Sequence, residues 1–321
     1  VAPKGSARIG LPLALGLVAA LMYLSLVQSV PHAALLGFMA PLPLMIAALG
    51  LGLVSTVAAC AVGAVAAGAV AGAAFGASFL GIAGIPAILI AYRALTRTVG
   101  PDEKVRWSPA GNVLAWLTVA SMVLLLVWVG ALPPHDGGVR GWLEAFLSQA
   151  LDMLGDQVDP KERREITRML SAVLPAMIAG VWMLMAMVNA MAAQAILTRL
   201  GQGLRPDPDY LGLVLPRWLA ALPLAAALTW MVLTGLATQE TVAYIAANMA
   251  AIGLAPFAAL GVATVHGRLA VGRQNAMLGL LAFYGTLMVF SIWALAPLSL
   301  VGLVRFTRVW IDRRRADTTE G

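Results

Sequence analysis

Residues 276–304 read AMLGLLAFYGTLMVFSIWALAPLSLVGLV, 29 consecutive residues without a charge. As one α-helix the run measures about 43 Å at 1.5 Å per residue, against about 30 Å for the hydrocarbon layer of a bilayer. It is therefore two short spans divided near Pro297, or one tilted helix kinked at that proline. Both readings place it in a membrane, and the rest of the chain agrees. Of 321 residues, 61% are hydrophobic and 11% charged, with 32 Gly and 18 Pro. Those fractions exclude a soluble globular enzyme and a disordered chain. The apolar segments are also far longer than the alternating ten-residue strands of an outer-membrane barrel, so helices must satisfy the backbone within the lipid. The expected fold is all-α: a polytopic transmembrane bundle.

A ruler of about 20 apolar residues per span cuts the chain into ten segments. They run over 11–28, 33–50, 52–75, 77–95, 111–131, 171–198, 213–235, 241–265, 275–293 and 296–311. The number falls to nine if 276–311 is one kinked helix. Charge favours ten, because Lys and Arg concentrate in cytoplasmic loops. With ten spans and the N-terminus inside, 16 of the 21 basic residues are cytoplasmic, whereas nine spans export the five-arginine C-terminus. The expectation is a single integral membrane domain over 1–321, both termini in the cytoplasm, an external loop at 133–170 and a cytoplasmic tail at 312–321. Lys4 and Arg8 before Leu11–Val27 resemble the start of a signal peptide, but the apolar stretch is too long and no small-x-small site follows it closely. It reads as an uncleaved first span.

The net charge of +6 does not imply a nucleic-acid partner, since the basic residues sit at helix ends rather than on a water-soluble face. Cys60 is the single cysteine and there are three histidines, too few for an intrachain disulfide or a Cys/His zinc site. No GxxxxGK[ST] loop, HExxH helix or paired-Asp diphosphate motif occurs, and no chain of Asp, Glu or His crosses the spans. No catalytic residue, metal or cofactor is expected.

Local features remain. Ala64, Gly68, Gly72 and Gly76 recur every four residues, which on one helix makes a small-xxx-small stripe for close packing. Gly16 and Ala20 give a shorter version in the first span. Pro41, Pro43, Pro86, Pro175, Pro223 and Pro256 fall inside spans, and each removes a helix hydrogen bond and frees a carbonyl. Such breaks line cavities in transporters and, more commonly, only shape a bundle.

In the loop 133–170, Trp142, Leu143, Phe146, Leu147, Ala150, Leu151 and Leu154 share one helical face, predicting an amphipathic helix at the outer interface. Asp159-Pro160-Lys161-Glu162 is a capping signal for the next helix. Inside the spans lies a sparse polar and aromatic set: Gln28, Trp182, Asn189, Gln194, Trp230, Tyr244, Asn248, Tyr284 and Trp293. Amides with aromatic walls recognise small neutral or amphipathic molecules, and serve equally as interhelical hydrogen bonds. Asn189 and Asn248, deepest in their spans, are the first candidates for ligand binding, followed by Gln194, Trp182 and Tyr244.

Asn189-Ala-Met-Ala-Ala-Gln194, then Arg199, Arg205-Pro-Asp-Pro-Asp209 and Leu215-Pro-Arg-Trp218, resemble the YybS-like family of bacterial integral membrane proteins. Gly261-Val-Ala-Thr-Val-His266, Leu280-Leu-Ala-Phe-Tyr284, Trp310-Ile-Asp-Arg313 and the early Pro41-Leu-Pro43 extend the resemblance over nearly the whole chain. The resemblance implies a bacterial inner membrane. It also implies a distant similarity to substrate-binding components of energy-coupling-factor transporters, which rely on separate energising subunits. Those components usually have about six helices, fewer than here, and no binding residue carries over. Two functions stay open. One is a solute-capture component partnered by a transporter energising module, with an unidentified small-molecule ligand. The other is a non-transporting scaffold or envelope assembly factor that binds other membrane proteins.

Overall fold

The computed structural model describes residues 7–28, 31–100, 103–152, 159–236, 239–271, 275–289 and 291–319. They are overwhelmingly helical, with one two-stranded antiparallel hairpin among them, and they divide into two compact units. The first is Val1–Leu117 with Trp182–Leu213; the second is Thr118–Val181 with Val214–Gly321.

The first unit begins with α1 (Ala7–Leu24), α2 (Pro31–Met39), α3 (Pro41–Leu51), α4 (Leu53–Ala71) and α5 (Ala73–Phe79). A π-helical turn at Leu80–Gly84 leads into α6 (Ile85–Ala94) and a hairpin of β1 (Arg97–Val99) and β2 (Val105–Trp107). The hairpin pairs Arg97 with Trp107 and Val99 with Val105. Single glycines separate α3 from α4 and α4 from α5. Gly52 (φ 90°, ψ 178°) and Gly72 (φ 95°, ψ 157°) hold a backbone region open essentially only to glycine, so the chain reverses within one residue.

This corrects the continuous stripe. Gly72 is a turn, and a Cβ built there meets nothing within 4 Å. Gly76 lies across the turn, where a Cβ comes within 2.6 Å of the Ala64 carbonyl oxygen and 3.0 Å of the Gly68 Cα. The small residues thus seat two arms of a hairpin against each other, and the third span ends at Ala71 rather than 75. Gly16 allows α1 to touch α4, since a Cβ there would strike the Ala59 carbonyl.

The second unit takes up α7 (Ala110–Ala131) after Leu117, then α8 (Gly138–Asp152) and the first part of α9 (Pro160–Arg199). A 3-10 turn at Arg217–Ala220 precedes α10 (Ala221–Gly235), α11 (Glu240–Ala270), α12 (Ala276–Val289) and α13 (Ser291–Thr319). Asp159 caps α9 as expected, its Oδ1 accepting from the Lys161 N–H at 2.7 Å and the Glu162 N–H at 3.4 Å. α8 buries Val139 and Leu143, while Phe146 stays 52% exposed and stacks on Trp142 at 5.5 Å. Leu154 lies outside the described residues. Met122, Leu125 and Ile252 form a core with Trp128, Leu222 and Met249 against it. α11 and α13 cross in direct backbone contact: a Cβ on Gly302 would overlap the Phe257 carbonyl, and one on Gly261 the Leu298 carbonyl.

Pro297, the expected divider of the run 276–304, lies inside α13, and Phe290, between α12 and α13, lies outside the described residues. A proline inside a membrane helix is tolerated because neighbouring helices and local adjustments satisfy the backbone groups it frees. Among the described residues, nine helical segments are long and apolar enough to cross a membrane, and α12 is a shorter apolar helix beside them. Outward faces carry bare apolar side chains, such as Val54 at 85% and Met288 at 87% exposure, as a lipid-facing surface requires.

Candidate functional site

A proline inside a helix leaves the carbonyl four residues earlier without its N–H donor, and in a bilayer that carbonyl needs another. Pro86 withdraws the donor for Ile82. The Trp182 indole Nε1–H, from α9, sits 3.2 Å from both the Ile82 and the Gly81 carbonyl oxygens in the π-helical turn. Trp182 is 8% exposed, and the Gly81 and Ile82 carbonyls it meets belong to half-buried residues.

The same arrangement recurs in the second unit. Pro175 withdraws the donor for Ser171, whose carbonyl accepts from the Tyr244 hydroxyl at 2.5 Å. One helical turn along α11, Asn248 straddles the next step of α9. Its Oδ1 accepts from the Ala176 N–H at 3.1 Å, and its Nδ2 donates to the Ala172 carbonyl at 3.2 Å and to the Tyr244 carbonyl at 3.1 Å. Asn248 is 2% exposed. Above it, Ser171 Oγ lies 3.2 Å from Glu144 Oε1, which also takes the Arg140 Nε–H at 3.0 Å.

Asn189 belongs to the first unit and is likewise buried. Its Nδ2 donates to the Phe38 carbonyl at 2.9 Å, at the break between α2 and α3 ahead of Pro41 and Pro43, and to the Met185 carbonyl at 2.8 Å. Five residues on, Gln194 organises the chain that leaves α9. Its Nε2 points at the Arg205 carbonyl (3.2 Å) and Asp207 Oδ1 (3.0 Å), and Thr198 Oγ1 donates to the same Asp207 oxygen at 2.5 Å. Gln194 Oε1 is buried without a partner among the described residues.

Arg205 is buried and its Nη1 donates to the Ala94 carbonyl at 2.9 Å and the Ser108 carbonyl at 3.3 Å, tying the end of α6 to the exit of the hairpin. Burial lowers its pKa from the ordinary arginine value, and burial raises that of neighbouring Tyr210. The hydrogen bonds from Thr198 and then Gln194 hold the Asp207 carboxyl below its ordinary value.

The five ligand candidates are therefore divided: Trp182, Asn189 and Gln194 lie in the first unit, Tyr244 and Asn248 in the second. Each engages main-chain groups. Trp230 and Tyr284 lie on exposed surface, Tyr284 hydrogen-bonded to His266 at 2.9 Å, and the side chains of Gln28 and Trp293 fall outside the described set. Among the described residues no three His, Cys, Asp or Glu side chains converge in a way that could hold a metal ion. Sequence reasoning missed the buried Arg205. It also missed Arg93, whose guanidinium carbon stands 3.9 Å over the Trp116 ring and 5.1 Å from the Tyr92 ring centroid. Neither pairing leaves a periodic signal, because each is made across a loop.

Long apolar helices, proline breaks repaired by side chains from neighbouring helices, and lipid-ready outer faces define a multi-pass integral membrane protein. The chain matches the family described as predicted membrane protein, DUF2232, over residues 16–304, and it belongs to that family. No curated protein and no solved structure compared with the chain matches it.

Proposed function

We propose that this chain is a non-catalytic scaffold or assembly component of the bacterial inner membrane, with both termini in the cytoplasm, acting through helix surfaces that bind other membrane proteins. One observation carries the reading: the intramembrane polar groups are spent on the protein's own backbone. Asn248 commits its oxygen and its nitrogen to main-chain groups of α9 and α11, and Asn189 its nitrogen to Phe38 and Met185. A solute would have to displace bonds that keep broken helices satisfied, where an unpaired polar group costs several kcal/mol. The orientation rests on the lopsided distribution of basic residues.

A second reading has its own support. Gln194 Oε1 is a buried acceptor without a donor, and the YybS-like resemblance points to solute-capture components driven by a separate energising module. The two are separated by gentle purification from the native membrane followed by native mass spectrometry. The scaffold reading expects a protein partner in stoichiometric amount, retained in Asn189→Ala. A bound metabolite lost in Gln194→Leu, at unchanged unfolding temperature, would overturn it in favour of capture.

A further inference from the structure

In the last turn of α6, Arg93 presents a cation with no hydrogen-bond acceptor among the described residues. Its guanidinium is stacked on Trp116, in the second turn of α7, and flanked by Tyr92; its Nε is buried without a partner. No carboxylate among the described residues pairs with it. Cation–π stacking leaves the in-plane N–H groups unsatisfied, and a planar guanidinium held by its faces is pre-organised to receive two oxygens edge-on. Such an orphan donor set calls for an anion.

The surroundings say which anion. The hairpin that follows brings Arg97, Lys104 and Arg106 to the same end of the helices, against Asp102 and Glu103 in sequence. Its pairing puts Arg97, Val99, Val105 and Trp107 on one face, and Val99 and Val105 are 68% and 47% exposed. Tyr92 is 55% exposed beside Arg93. Positive charge over bare apolar and aromatic surface, at the end of membrane-crossing helices, matches a headgroup above acyl chains. A free phosphate gains nothing from the valines or the tyrosine. We infer that Arg93, clamped by Trp116, seats the phosphate of an anionic phospholipid at this corner of the first unit.

The test uses the full-length protein in detergent, with lipid retention read by native mass spectrometry. Phosphatidylglycerol is retained about tenfold better than phosphatidylcholine by the wild type, and Arg93→Gln removes that preference. Arg308→Gln, which takes an exposed arginine from α13, changes it less than about twofold. Should Arg93→Gln fail to fold, Arg93→Lys keeps the charge and loses the fork, and retention drops to between the two. Equal retention of the two lipids by the wild type, an undiminished preference in the folded Arg93 variant, or an equal loss in Arg308→Gln overturns the inference. Full displacement of lipid by inorganic phosphate also overturns it, by assigning the site to the free anion.

Discussion

The Trp182 indole Nε1–H stands 3.2 Å from the Ile82 carbonyl oxygen, an acceptor that Pro86 deprives of its helical donor. The proline and the tryptophan are therefore coupled through that carbonyl. Trp182→Phe keeps the ring and removes the donor. It is expected to lower stability by about 1 kcal/mol, with about 1.7 as the upper end for such bonds in membranes. In a Pro86→Ala background, where residue 86 regains its N–H, the same change should cost measurably less. A double-mutant cycle by chemical unfolding in detergent checks this, and a strictly additive pair would disprove the coupling.

The second break makes a parallel prediction. Tyr244→Phe strips the donor from the Ser171 carbonyl, and Asn248→Ala strips the bracket around Ala172 and Ala176. Each is expected to destabilise by about 0.6–1.7 kcal/mol. Because the two side chains act on successive turns at one kink, the double variant should lose less than the sum. Pulse proteolysis of the purified variants measures both quantities, with extra cleavage expected first along α9 near Pro175.

The prolines and the amides were both legible in the sequence; their partnership was not. Pro86 announces an orphan carbonyl, but Trp182 is nearly 100 residues away, and no periodicity connects them. Asn189 and Asn248 read as candidate ligand groups because a lone amide in an apolar helix looks the same whether it meets a solute or a carbonyl. The hydrophobic pattern located the spans well, since lipid enforces it residue by residue. It misreads two positions. Gly72 reads as part of a face because glycine is both the smallest helix-packing residue and the residue that permits a reversal. Pro297 reads as a divider, yet it lies inside α13, because membrane helices accommodate proline where neighbouring groups satisfy the freed backbone. The crossing at Gly261 and Gly302 escaped notice because each is a single glycine outside any four-residue repeat.

The two glycines of the α4–α5 hairpin separate strain from crowding. Gly72→Ala places a Cβ in open space but at φ 95°, so its cost of about 1–3 kcal/mol is conformational. Gly76→Ala has an ordinary helical backbone and instead drives a Cβ against Ala64 and Gly68, for about 1–3 kcal/mol of overpacking. Gly72→Asn should lose about as much as Gly72→Ala, since at ψ 157° the backbone lies outside the left-handed helical region that Asn tolerates. Val70, 73% exposed, serves as control: Val70→Ala should change stability by less than about 0.5 kcal/mol. Equal losses at 70 and 76, measured by thermal unfolding, would refute the hairpin contact.

Acid should loosen the segment after α9. The folded-state pKa of Asp207 lies below its ordinary value because Thr198 and Gln194 donate to the carboxylate. Its contribution is therefore present above the usual carboxylate range and is lost as pH falls through the depressed value. Tyr210 has the opposite sign. Burial raises its pKa, so its contribution is complete below the ordinary tyrosine value and fades as pH rises through the raised one. Hydrogen exchange of the main chain over 200–213 should accelerate, relative to the rest of the first unit, at both extremes. Asp207→Asn should abolish the acid limb and leave the alkaline limb, and Tyr210→Phe should do the reverse.

The run 276–304 sets up the last prediction. At about 43 Å as helix it is long for one upright crossing of about 30 Å and short for two, a mismatch that tilting or local thinning absorbs at a fraction of a kcal/mol per Å. Five arginines between 305 and 315, which the positive-inside bias holds in the cytoplasm, favour two crossings. The run is therefore expected to cross twice, bringing the end of α13 to the cytoplasmic side, while α8 lies outside. Single cysteines at Gln149 and Asp312, both exposed, introduced after Cys60→Ala, read this directly. In intact cells an impermeant thiol reagent should label position 149 and spare 312, and should reach 312 only after the membrane is opened. Labelling of both in intact cells would mean that the run crosses only once, and that the charge bias has been overridden.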